Sequence, residues 1–97
     1  MDHAAAIRAL TQWAGRRVVV VAFVAPGFSL RPMAGTLALD EDDRGVARAV
    51  VTPGTGEPTR IAFPAALFHE AGWVAGHDGR GLSVLQGATR VDVFLEG

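Results

Sequence analysis

Four consecutive acids, Asp40 to Asp43, stand before Arg44 and Gly45, and carboxylates at that spacing are the raw material of a cation-binding loop. A calcium loop of the EF-hand kind takes oxygen ligands at positions 1, 3 and 5, glycine at 6 and a bidentate Glu at 12. Counted from Asp40, position 5 is Arg44 and position 12 is Val51, a cation and a hydrocarbon where oxygen is required. The run therefore reads as a tight turn between two strands, its acids keeping a hairpin soluble and Arg44 partly offsetting their repulsion. A second cluster, His69, Glu70, His77 and Asp78, has the residue types to hold a metal or move protons, as a small metal-dependent hydrolase would. Its spacing departs from H-E-x-x-H, because Ala71, Gly72 and Trp73 follow Glu70. Unless the fold brings the four together they are solvated or capping residues, and no metal and no cofactor are expected.

Nucleophilic and phosphate-binding chemistry fares no better. Ser29 and Ser83 are the only serines; Gly27 to Arg31 misses the nucleophile elbow at its last residue, and Ser83 falls inside an expected strand. The glycines at 54 to 56 and at 76 to 81 lack the strand before and helix after that a P-loop or dinucleotide fingerprint needs, so they read as turns. With no Cys and no Lys in the chain, disulfides, thiolate metal sites and Schiff-base chemistry are excluded. The absence of Cys suits a reducing cytoplasm. Among the aromatics, Phe28 sits between Gly27 and Ser29 in a loop, where its ring either folds over the mouth of the core or stays exposed to stack on a base or dock a partner. Trp73 reads as a core residue.

These residues need a scaffold, and the bulk properties bound it. Ninety-seven residues, 49% of them apolar, supply one core and so one domain over residues 1–97. Nine Arg against ten acids leave a net charge of -1. No overall positive field draws in nucleic acid or an anionic membrane, and no DNA partner is expected. The longest apolar run, Val18 to Ala25, is far below the roughly 18 residues of a membrane span. Arg16 and Arg17 precede that run, but Asp2 and a helical segment come first and no A-x-A cleavage pattern stands directly after it, so a buried strand is expected there rather than an export signal.

Asp2 is a good N-cap, and Ile7, Leu10 and Ala14 recur at helical spacing up to Gly15, which predicts a helix over 3–14. Val18 to Val24 is β-branched and apolar on both faces, so one face enters the core and the other needs cover from that helix or from another subunit. Residues 33–40 and 46–51 alternate as two strands of a hairpin around the acidic turn, with Gly35 marking a bend. A short strand at 59–63 follows, then a helical insert opened by Pro64 and stopped at Gly72. Leu82 to Gln86 and Arg90 to Leu95 form a closing hairpin. Strands at this spacing, with one leading helix, predict a mainly β fold: a small, strongly bent antiparallel barrel.

The order of elements, with GRRVVVV after the helix, G-x-L-x-L-D at Gly35 to Asp40, and LQG before V-x-V at Val91 to Val93, resembles the Sm-like family, which includes bacterial Hfq; other SH3-like barrels share most of these features. The resemblance covers about half the chain and implies rings that bind single-stranded RNA through loop residues. It implies binding roles for Asp40, for Arg44 near the family's Asn, and for Gln86 and Gly87 in the second motif, where Gln86 replaces the family's Arg. Asp42 and Asp43 set negative charge beside such a pocket and oppose phosphate binding. The expectation is a noncatalytic interaction module that self-associates or binds a protein partner through surfaces such as Phe28. RNA binding is the alternative, disfavoured by the acidic turn.

Overall fold

The computed structural model describes residues 1–97. Asp2 caps helix α1 (His3–Thr11) by accepting a hydrogen bond from the Ala5 amide at 2.8 Å. The helix ends earlier than the apolar spacing predicts, because the chain passes through turns to Gly15, whose φ of 84° favours glycine. Ala6, Ala9 and Leu10 form its buried stripe, and Trp13 is buried in the turns beyond its end.

Eight strands follow: β1 (Arg17–Val24), β2 (Phe28–Ser29), β3 (Met33–Glu41), β4 (Ala47–Thr52), β5 (Thr59–Ala62), β6 (Phe68–Trp73), β7 (Gly81–Gln86) and β8 (Thr89–Leu95). They make one antiparallel sheet in the order β5-β4-β3-β1-β8-β7-β6, with β2 on the remaining edge of β1. The chain meanders outward from β1 to β5, crosses to β6, and meanders back to β1. The two outermost strands are thus neighbours in sequence, but they do not pair. The hydrogen-bonded ladder is an open sheet and not the closed barrel expected from the strand spacing.

Curvature enters at β3, whose first half pairs with β1 (Met33 to Thr36) and whose second half pairs with β4 (Thr36 to Glu41). Gly35 sits at the changeover, where a Cβ would collide with the Thr52 carbonyl. The close approach is what glycine permits.

Helix α1 packs against β6, β3 and β7. His3 Nε2 donates to the Phe63 carbonyl at 2.7 Å, and its ring meets Phe68 edge-on at 5.6 Å. Leu10 joins Val18, Val20, Leu37, Val51, Phe63, Leu82, Val84, Val91 and Val93 in one core. The helix is therefore a core element packed on β6, beside the gap between β5 and β6, and it does not cover the outer face of β1. On that face Val19, Val21 and Phe23 are only half-buried, while Val18, Val20 and Ala22 point inward.

The helical insert at 64–72 is replaced by a 3-10 turn (Ala65–Leu67) and strand β6. The register shifts by one residue between Phe68 and Glu70, a bulge that leaves His69 extra. Phe68 and Ala71 consequently both meet the core although three positions apart, a spacing that imitates a helix. Trp73 is not a core residue: it is 52% exposed, with its ring 6.2 Å from that of Trp13.

Candidate functional site

The acidic run is a structural turn. Asp42 accepts from the amides of Arg44 (2.8 Å) and Val46 (3.0 Å), and its carbonyl accepts from Gly45, which has a φ of 78°. Asp40 lies opposite Arg48 in the β3–β4 register and takes two hydrogen bonds from it, at 2.8 and 2.9 Å. That pairing holds the Asp40 carboxyl below the ordinary carboxylate value, against a smaller opposing effect of burial, and raises Arg48. Arg44 is exposed at the turn.

Gln86 points inward after Leu82 and Val84 and is 9% exposed. Its Nε2 donates to the Ala62 carbonyl at 2.9 Å, linking β7 to β5 across the unpaired side of the sheet, while its Oε1 is buried without a partner. Gly87, at a φ of 53°, makes the β7–β8 turn, and its amide donates to the Leu67 carbonyl. Asp40, Gln86 and Gly87, drawn together by the family resemblance, thus hold three different joints of the fold. The histidine and acid cluster is not assembled either. His69 and Glu70 lie on β6, whereas the His77 ring sits 4.8 Å from that of Phe94, tilted by 46°, and Asp78 adopts a turn φ of 50° beyond the strand's end. No three His, Cys, Asp or Glu side chains come together as a metal site. No helix is long and apolar enough to cross a membrane.

Phe28 is 68% exposed and Leu30 54% exposed. Phe28 pairs with Val24, and the Leu30 amide donates to the Ala22 carbonyl, which puts both side chains on the same side of the β1–β2 hairpin. Of the two orientations open to Phe28, the structure takes the exposed one.

Beside this hairpin, a groove of about 520 Å³ runs over the outer face of β1, β8, β7 and β6. Phe23, Leu85 and Arg90 form its floor, His69 and Glu70 one wall, and Val24, Ala25 and Gly27 the base of the hairpin. The register places Arg90 between Phe23 and Leu85, and its guanidinium carbon sits 4.1 Å from the Phe23 ring centre, a cation–π contact. Arg90 Nε also lies 3.5 Å from Asp92 Oδ1, a buried oxygen on a 7%-exposed residue that has no hydrogen-bond partner. Sequence reasoning missed this groove. The signal available was the second apolar face of β1, whose need for cover was evident.

No protein-family model matches the chain, and neither a curated protein nor a solved structure does.

Proposed function

We propose that the chain is a noncatalytic, small-barrel interaction module of the Sm-like or SH3-like kind that associates with copies of itself or with a protein partner. In this reading the curled sheet is completed as a barrel by α1 and the Gln86 bridge rather than by a β5–β6 ladder. The observation that carries the proposal is the pair of large apolar side chains, Phe28 and Leu30, left in solvent on one side of one hairpin, with Leu67 and Trp73 also exposed. Adjoining apolar exposure of this kind marks a surface that is covered in use. A cytoplasmic setting accords with a chain that has no Cys. RNA binding draws less support, because Gln86 is turned into the fold, Asp40 is held by Arg48, and the neighbouring turn carries Asp42 and Asp43.

Sedimentation velocity over a dilution series tests the proposal. A mass above the monomer at micromolar concentration is expected. A monomer throughout would remove the self-association reading.

A further inference from the structure

We infer that self-association is a two-fold dimer through one pole of the fold, in which the β1–β2 hairpin of each copy lies on the loop before β6 of the other. This rests on the self-association reading and names its surface. Three segments meet at that pole: the hairpin segment 25–32, the loop 64–67 and the β7–β8 turn at 87–88. The turn stands between the other two, since the Ala88 carbonyl accepts from the Ala25 amide and the Gly87 amide donates to the Leu67 carbonyl, each at 2.9 Å. Phe28, Leu30 and Leu67 belong to these segments, and they are three of the five large apolar side chains that the chain leaves exposed. Phe28 and Leu30 project on the Ala22 side of β1, the side that carries the core, and so away from the outer-face groove. Trp73 is as exposed as Leu67, but it lies at the far end of β6, across from Leu82.

Charge and extent argue for a second copy as the occupant. Residues 25–32, 64–67 and 86–89 hold none of the chain's ten acids, and Arg31 is their only charge. Two such poles meet without setting acid against acid, the repulsion by which wrong pairings are rejected. With their flanking residues the three segments number about twenty, as many as one partner gives to an interface of ordinary size. None of the cavities is lined by Phe28, Leu30 or Leu67, so the patch offers no slot for a protruding anchor and matches a surface of its own relief. A two-fold axis beside the turn sets the hairpin of one copy on Leu67 of the other, and each copy gives and receives that contact.

Sedimentation equilibrium on the full chain, with urea unfolding to verify that each variant is folded, decides the matter. Phe28→Ala removes two buried rings per dimer and should weaken association by about a hundredfold or more, and Leu67→Ala by about tenfold or more. Ala88→Glu, at an exposed residue of the turn, sets two like charges across the axis and should weaken it by about a hundredfold. Trp73→Ala should leave the dissociation constant unchanged. A dimer unmoved by Leu67→Ala and Ala88→Glu would overturn the inference and leave self-association standing through another surface. So would a dimer that Trp73→Ala weakens as much as Leu67→Ala does. A wild-type monomer would overturn both the inference and the self-association reading.

Discussion

Replacing Gln86 by Glu exchanges a buried donor for a group that, when ionised, can only accept. The Gln86 amide nitrogen reaches the Ala62 carbonyl at 2.9 Å from a side chain that is almost fully enclosed. At neutral pH a carboxylate there faces that carbonyl with no proton between them and no cation paired to it. An uncompensated buried charge costs about 3–5 kcal/mol, a large share of the roughly 5–15 kcal/mol that holds a domain folded. When protonated, the carboxyl regains a donor for Ala62. Its folded-state proton affinity is therefore raised above the ordinary Glu value of about 4.3. The deficit should be smallest below that value and grow as pH rises through the folded-state value. Gln86→Leu, which discards the unpartnered oxygen along with the donor, should cost about 1 kcal/mol with no such pH dependence. Urea unfolding followed by the fluorescence of Trp13 and Trp73 at pH 4 and pH 7 measures both. A Gln86→Glu deficit below about 0.5 kcal/mol at both pH values would refute the idea that this side chain bridges β7 to β5, since a solvated residue behaves that way.

Gly35→Ala sets a methyl group against the Thr52 carbonyl at the bend of β3 and should destabilise the fold by about 1–3 kcal/mol in the same assay; a neutral result would mean that the bend has slack. Asp40 should titrate below the ordinary carboxylate value in carboxyl-detected NMR, and Arg48→Ala should return it toward that value. Because its folded-state value is depressed, the stabilisation from the Asp40–Arg48 pair is present at neutral pH and fades as pH falls through that depressed value.

The strands that alternate strictly could be read from their residues. β7 and β8 place Leu82, Val84, Val91 and Val93 inward, and β3 and β4 flank a turn whose acids and glycine announce it. β6 was hidden by its bulge, because the extra His69 spaces Phe68 and Ala71 like a helix while pairing with β7 decides the conformation. That the ladder stays open between β5 and β6 was not legible either, since nothing in the sequences of those two consecutive strands says whether they pair. Gln86 could have been recognised as inward from the alternation of Leu82, Val84 and Gln86; the family resemblance pointed to a binding role instead. Phe28 was conspicuous as an aromatic ring between Gly27 and Ser29, but its exposure depends on the hairpin register. The groove lay beyond sequence reasoning because Phe23, Arg90, Leu85 and Glu70 come from four different strands. Only the cross-strand register aligns them.

The most direct test of the account is an isotope-filtered nuclear Overhauser experiment on a mixture of labelled and unlabelled chains. It should show the Phe28 ring and the Leu30 methyl groups of one copy against side chains of another. Spectra that contain only contacts within one copy, at a concentration where the protein sediments as a dimer, would contradict it.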